Sequence, residues 1–386
     1  MNLFARIYCK LVECILHVRT FLLHGPRVWL DPTWLLVRYQ SPAQIEATRQ
    51  IAAELKIAAP EPFDSREFDS AVTQRAAELV REKEKMQVAV IIPFRDAWAM
   101  TQKCIESLFA QNREHLNLTL CLVDNNSREQ ATADGLSDFI EKWTSNSANS
   151  HKEIPKVHLI KDTRPFNFSQ LNNSAAHFLS HSSDGPRPDF LLFLNNDTLW
   201  QDSNSLEKLV FFAASSDKIG AVGCTLIYEN SKVQHLFLAP GVKLAGAHPC
   251  KGIPLKFENL WYTQPRPVPA VTGALLLISA DHFERVQGFD EALATSCQDL
   301  DLCLKVQSLG CVNWVLPRVC VKHFETRTRL KRNQGEEIQY ISMKWGIKLS
   351  MNPYLAHEIS RWSERPAYSW KESVYPWQMV LNLNPR

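Results

Sequence analysis

The sequence predicts an α/β fold: a mostly parallel central sheet flanked by helices, with a helical N-terminal extension and a C-terminal cap. Three features carry that expectation. From Gln87 onward, β-branched or apolar runs alternate with helical patterns at the spacing of strand–helix–strand units. The run FLLFL at 190–194 is apolar throughout, as suits a strand buried on both faces. Before Gln87 there is no strand-like run, only helical spacing.

Taken in order, Leu3, Ile7, Leu11 and Ile15 lie opposite a polar stripe of Arg6, Lys10, Glu13 and His17, the pattern of an amphipathic helix. The ionisable positions rule out a comfortable membrane span, and no small-residue cleavage site follows. That helix either packs on the rest of the protein or makes a peripheral membrane contact, and its mixed charge weakens the lipid case. Ser41 followed by Pro42 opens a second helix, an N-cap with proline at the first helical position. A third spans about 66–85 and ends in REKEK.

VAVII (88–92) is the first strand, followed by a helix at 100–110, the strand LTLCLV (118–123) and a helix over about 129–143. SNSANSHKE is a loop, KVHLI (156–160) a strand, and a helix from about Ser169 leads through SSDGPRP to FLLFL. Residues 228–269 are richer in Pro and Gly and read as loops with short strands. Regularity returns with VTGALLLIS, a helix near 280–286, an apolar helix over about 298–309 and the strand VNWVL. Trp345, Trp362, Trp370 and Trp377 mark a helical or irregular cap. The expected partition is therefore an extension over 1–86, a main domain over 87–335 and a cap over 336–386.

A chain of 386 residues, 45% of them apolar, can bury a large core in more than one structural unit. Its 43 basic and 41 acidic residues nearly cancel, so nothing supports a nucleic-acid binder that relies on bulk charge. The ten cysteines never form CxxC, which argues against a zinc ribbon or thioredoxin-type site. Several sit inside apolar runs such as LTLCLV and GAVGCTLIY, as small buried hydrophobes of a reducing compartment, and the cytoplasm is the expected location.

Strand–helix alternation invites a dinucleotide-binding fold, and Asp124 in VDNN ends the second strand where a ribose-binding acid would sit. The first strand decides against it, because VAVII runs into PFRDAW with no glycine for backbone to approach a pyrophosphate. No GxxxxGK[ST] occurs either. A metal ion held by carboxylates is another way to neutralise a diphosphate.

VAVIIPFRDAW, LTLCLVDNNS, RPFNFSQLNNSAA, FLLFLNNDT, VQHLFLAPG, AVTGALLLIS, GFDEAL, CQDLDLCLKVQSLG and KHFE form an ordered series over roughly 87–328. The series resembles the family 2 glycosyltransferases, inverting enzymes of the GT-A nucleotide-diphospho-sugar transferase fold. More narrowly, it is similar to bacterial members that add rhamnose, galactose, glucose or related sugars to surface polysaccharides. No single motif is specific; the complete order is.

The resemblance implies roles for particular residues. NND stands where the family has DXD, so Asp197 would hold a divalent metal, Mg²⁺ or Mn²⁺, on the donor diphosphate. Asn195 and Asn196 replace acids there, and Asn196 can still hydrogen-bond ribose or a metal-bound water. Alone, the triplet reads as a strand-ending turn. His323 in VKHFE would complete the metal site, with Glu325 a weaker candidate. Asp299 would be the general base that takes the acceptor hydroxyl proton. On spacing alone, Asp299 could simply be an N-cap or first-turn partner of the helix dipole. Asp301, about 200° away around the helix, cannot face the same substrate and is structural.

Asp124 would contact base or ribose, or else simply form an Asx turn with Asn125 and Asn126. Pro93 and Arg95 follow the first strand beside the same pocket, where Arg95 meets phosphate or remains a solvated charge. Asn167 and Asn172 would frame the nucleotide, whereas Phe166 and Phe168 are expected in the core. Gly273 would let backbone approach the sugar, or mark a strand bulge.

The implied activity is an inverting transfer of sugar from a UDP- or dTDP-sugar to a hydroxyl of a glycan or lipid-linked oligosaccharide, in the cytoplasm or at the inner face of the cell membrane. The alternative is a catalytically degenerate domain that binds nucleotide or glycan, or serves assembly.

Overall fold

The computed structural model describes residues 65–82, 85–145, 155–241, 246–255, 263–325 and 334–349, together with 352 and 354. The amphipathic N-terminal helix, the helix opened by Ser41 and Pro42, and most of the expected C-terminal cap lie outside the described residues. So does any membrane contact through the N-terminus. Among the described residues, no helix is long and apolar enough to cross a membrane.

The order of elements is α1 (Ser65–Glu82), β1 (Met86–Phe94), α2 (Trp98–Phe109), β2 (Leu116–Asp124), α3 (Gln130–Ser145), β3 (Lys156–Lys161), α4 (Phe168–His181) and β4 (Phe190–Leu194). There follow β5 (Thr198–Trp200), α5 (Ser205–Ala213), β6 (Ile219–Ile227), β7 (Val233–His235), β8 (Arg266–Val268), β9 (Leu275–Ser279), α6 (Ala280–Arg285), α7 (Gln298–Ser308), β10 (Val312–His323) and α8 (Gln334–Trp345).

The strands form one sheet in the order β3-β2-β1-β4-β9-β6-β10-β5, with β7 added beside β6 and β8 beside β10. From β3 to β4 every pairing is parallel. Beyond β4 the sheet is mixed: β9 runs antiparallel to β4 and β6, β10 parallel to β6, and β5 antiparallel to β10.

Both faces are covered, as FLLFL implies. Val88, Val90 and Ile92 of β1 pack with Leu120, Ile105, Leu108, Leu209 and Phe212 on one side. The alternate residues Ala89 and Ile91 pack with Cys121, Leu171, Ala175, Leu302 and Val306 on the other. Period-two alternation therefore distributes one strand between two cores. Each fully buried Leu or Ile contributes on the order of 1.5–3 kcal/mol of transfer free energy, so neither layer of helices is dispensable. Helix α1 docks on α5 through Phe68 and Phe212, whose rings lie 5.6 Å apart.

β6 is buried at all nine positions, and its mixture of Gly, Cys and aliphatics carries no alternation that marks a strand. Its Gly223 has a structural reason: a Cβ there would lie 2.7 Å from Val271 Cβ. The missing side chain lets the segment leading to β9 cross close over the sheet. That segment reaches the carboxyl end of β4, where Asn195 N–H donates to Ala274 O at 3.0 Å, and β9 starts there.

Candidate active site

The polar ends of β1, β2 and β4 lie along one edge of the parallel half-sheet, where open α/β sheets keep ligands. Short β5 doubles back after the turn at 195–197 and pairs antiparallel with β10, setting Thr198 opposite His323. Phe324 N–H donates to Asp197 O at 3.0 Å. Residues far apart in sequence thereby become neighbours: His323 Nε2 lies 3.1 Å from Asp197 Oδ1. Both are nearly enclosed, with Asp197 4% and His323 8% exposed.

The rest of the NND turn holds this pair in place. Asn195 Nδ2 is 3.3 Å from His323 Nε2, and Asn196 Nδ2 donates to Thr101 Oγ1 at 2.9 Å. Thr198 Oγ1 donates to Asn195 O. Asn196 thus anchors the turn to α2 as well as standing where a ribose contact was expected.

Asp299 lies at the start of α7, half-buried, and its two oxygens accept from Gly273 N–H at 3.0 Å and from Leu300 N–H at 2.9 Å. An N-cap role is excluded, because the N-cap is Cys297 in the left-handed region at φ 64°. Asp301 points the other way, fully buried, receiving Trp345 Nε1–H at 2.7 Å and Lys344 Nζ at 2.9 Å. Gly273 is in a turn rather than a strand bulge. A Cβ there would sit 3.2 Å from Phe168 Cζ and 3.6 Å from Asp299 Cβ. Because Gly273 holds Asp299 and its neighbour Ala274 holds Asn195, the short link 272–274 joins the two carboxylate centres.

The remaining candidates fall into two groups. Pro93, Arg95 and Asp124 ring the ends of β1 and β2, with Arg95 exposed and Asp124 half-buried. Asp124 Oδ1 accepts from Ser127 N–H at 2.9 Å, so it does form an Asx-type turn. Between these strands the loops are laced by Asp96, which accepts the Arg128 and Glu129 N–H groups. Those backbone bonds, from Glu129 foremost, hold the Asp96 carboxyl below its usual range. Asp96 and Ala97 are both at positive φ, so this loop turns sharply without glycine.

Asn167 and Asn172 do a different job. Asn167 caps α4 through Gln170 N–H and donates to Glu291 O, while Asn172 is fully buried and donates to Phe168 O. With Ser169 donating to Leu293 O and Asn173 bridging both N–H and C=O of Phe289, this segment fastens α4 to the loop GFDEAL that leads to Asp299. Phe168 is in the core, but Phe166 is 47% exposed, against expectation. Asn167 and Ser169 make those bonds, and the Phe166 side chain is left outside.

Gln234 and Glu337 were missed. Gln234 lies within VQHLFLAPG, and its amide faces the His323 ring from β7. Glu337, only 5% exposed on α8, accepts from Ala294 N–H, Thr295 N–H and the Thr295 and Ser296 hydroxyls. No sequence signal marks it.

The chemistry of Asp197 and His323 fits a divalent cation. A carboxylate oxygen and an imidazole nitrogen point at one another in a nearly enclosed site, and oxygen and imidazole ligands suit Mg²⁺ or Mn²⁺ completed by phosphate and water. Among the described residues no group of three or more His, Cys, Asp or Glu side chains is arranged to hold a metal.

The family profile described as Glycosyl transferase family 2 matches residues 89–284, which takes in Asp124, Asp197 and Gly273 and stops before Asp299 and His323. The O-antigen biosynthesis protein RfbC of Myxococcus xanthus is 30% identical over 229 residues, 58% of this chain and 16% of that protein. The uncharacterized protein y4gI of Sinorhizobium fredii (strain NBRC 101917 / NGR234) is 28% identical over 268 residues, 67% of this chain and 27% of that protein. The chain therefore spans under a third of the length of either relative. Among solved structures, GalNAc-T7 with UDP, GalNAc and Mn²⁺ superposes with a TM-score of 0.51 at 14% identity, over 68% of this chain and 49% of that one, a likeness of fold.

Proposed function

The chain belongs to glycosyl transferase family 2, and from that premise we propose that it is an inverting enzyme of cell-surface polysaccharide synthesis. In this role it moves a sugar from a UDP- or dTDP-sugar to a hydroxyl of a glycan or lipid-linked oligosaccharide, acting in the cytoplasm. The observation that carries it is the 272–274 link, which ties the Asp299 carboxylate to the turn bearing Asp197. An O-antigen biosynthesis protein among the relatives supports the polysaccharide context.

Asp124 and Arg95 receive the nucleoside and phosphate at the ends of β1 and β2. Asp197 and His323 hold a divalent cation, which supplies positive charge to the departing diphosphate. Asp299 takes the proton of the acceptor hydroxyl as that oxygen attacks the anomeric carbon opposite the leaving nucleotide. Its two N–H partners occupy two of about four lone-pair sites on an ionised carboxylate, so it is oriented and still free to accept. Gly273 leaves room for the sugar beside it.

Asp299→Asn tests the assignment. The variant should keep the rise in melting temperature caused by a bound donor and lose transfer by at least about 10²-fold. Transfer at the wild-type rate would remove Asp299 from the mechanism. The donor is found by thermal shift with UDP-, dTDP- and GDP-sugars and Mn²⁺. A protein that binds a donor yet never turns it over would be a binding module instead.

A further inference from the structure

The His323 ring is braced by one side chain that no role has yet claimed. Gln234, 5% exposed, places Oε1 2.6 Å from His323 Nδ1. Its other end, Nε2, lies 3.1 Å from the main-chain oxygen of His323 and 3.4 Å from a Glu325 carboxylate oxygen. A carbonyl and a carboxylate only accept, so the end facing them must be the NH₂ group. The end facing the ring is therefore the amide oxygen, which only accepts, and Nδ1 must carry the proton. In the neutral ring this leaves the lone pair on Nε2, with Asn195 Nδ2 3.3 Å away.

That lone pair faces Asp197 Oδ1 across 3.1 Å. In that form the Nε2 lone pair and the Asp197 carboxylate present two ligand atoms that one divalent cation could share. Without Gln234, the neutral ring can move its proton to Nε2 and donate directly to Asp197. Nε2 would then carry a proton in place of its lone pair and could not ligate a cation.

We propose that Gln234 is a positioning residue that locks His323 in its Nδ1–H tautomer and so keeps the pair of His323 and Asp197 open to a divalent cation. This rests on the proposed cation role of Asp197 and His323. It extends that role to a residue on a neighbouring strand that touches neither donor nor acceptor.

The test uses the full chain and two readouts besides activity. The first is the ring tautomer of His323 in metal-free protein at neutral pH. It is read from long-range ¹H–¹⁵N spectra of ¹⁵N-histidine-labelled protein, with His323→Gln identifying the resonance. The wild type should show the Nδ1–H form and Gln234→Met the Nε2–H form. The second is Mn²⁺ binding by electron paramagnetic resonance, with and without UDP. Gln234→Met should weaken Mn²⁺ about 10–100-fold. Equal melting temperatures separate these effects from general unfolding.

An Nε2–H tautomer in the wild type overturns the proposal without any variant having to fold. Wild-type Mn²⁺ affinity in Gln234→Met also overturns it. If wild type shows the Nδ1–H form but binds no Mn²⁺ with or without UDP, the cation role itself fails, and the inference about Gln234 falls with it.

Discussion

Removing the Glu337 carboxylate should destabilise the protein and slow its chemistry while sparing donor binding. One carboxylate oxygen accepts Ala294 N–H at 2.8 Å and Thr295 N–H at 3.0 Å; the other accepts the Thr295 hydroxyl at 2.8 Å and the Ser296 hydroxyl at 2.5 Å. In Glu337→Ala the hydroxyls can turn elsewhere, but the two N–H groups lose their acceptor. Each buried N–H left unpaired costs about 1–3 kcal/mol, so the variant should lose roughly 3 kcal/mol once some water enters. Glu337→Gln keeps one oxygen for both N–H groups and offers its NH₂ to hydroxyls that can accept. It loses only the charge assistance, about 1 kcal/mol.

The loop in question feeds Cys297, at φ 64°, and then Asp299. A shift of about 1 Å there is enough to reduce turnover on the order of 10²-fold. Urea melts of the three proteins give the stability ranking, and transfer assays should show kcat falling in Glu337→Ala with the donor KM nearly constant. Glu337→Ala within about 0.5 kcal/mol of wild type, or Glu337→Gln as unstable as Glu337→Ala, would refute the accounting of these bonds.

Three further outcomes are expected. Gly273→Ala puts a Cβ 3.2 Å from the Phe168 ring and beside Asp299, so stability should change by less than about 1 kcal/mol while kcat drops clearly; unchanged kcat would remove Gly273 from the sugar site. Burial holds His235 well below its ordinary value of 6.5, helped by neighbouring His248, His323 and Lys251, and burial also lowers His282. Below pH 6.5 the unfolded chain therefore binds protons that the native state does not. Stability should be full above that pH and fall beneath it, by up to about 1.4 kcal/mol per pH unit for each ring, in melts at pH 5–8. A flat profile, or one unchanged in His235→Gln, would contradict this. Finally, burial pushes the Cys104 thiol to about 12, and Cys121, Cys250, Cys297 and Cys320 also to about 12. With Cys9 and Cys14 replaced by Ser, native protein at pH 8 should resist a thiol reagent that labels it rapidly in urea.

The contrast between β4 and β5 explains how much of this was legible from sequence. β4 is apolar at every position because both its faces meet a core, so its pattern announces it, as do those of β1 and β2. β5 is three residues long and has no periodicity to read, yet its pairing with β10 brings Asp197 to His323. The family resemblance supplied that pairing of roles where residue physics could not. Asn167 and Asn172 show the opposite limit: an asparagine that hydrogen-bonds a ligand and one that fastens a loop look alike in sequence. Only the bond from Asn167 to Glu291 O, and the complete burial of Asn172, show where they are engaged. Glu337 could not be found at all, because a buried acceptor of backbone N–H groups has no partner pattern along the chain.

The NND triplet then raises a question of charge. Asp197 brings a single negative charge and faces His323 at 3.1 Å. Asn195 and Asn196 add none, and Asn196 is spent on Thr101. With one carboxylate and one imidazole, the proposed site leaves a divalent ion under-neutralised and short of oxygen ligands, which the diphosphate of a donor would complete. Cation and donor should therefore each raise the other's affinity by the same factor, because coupling between two bound ligands is reciprocal. On that proposal, the absence of a second acid in the turn would shift part of the cation's coordination from the protein to the substrate, and tight metal binding would depend on the donor being present.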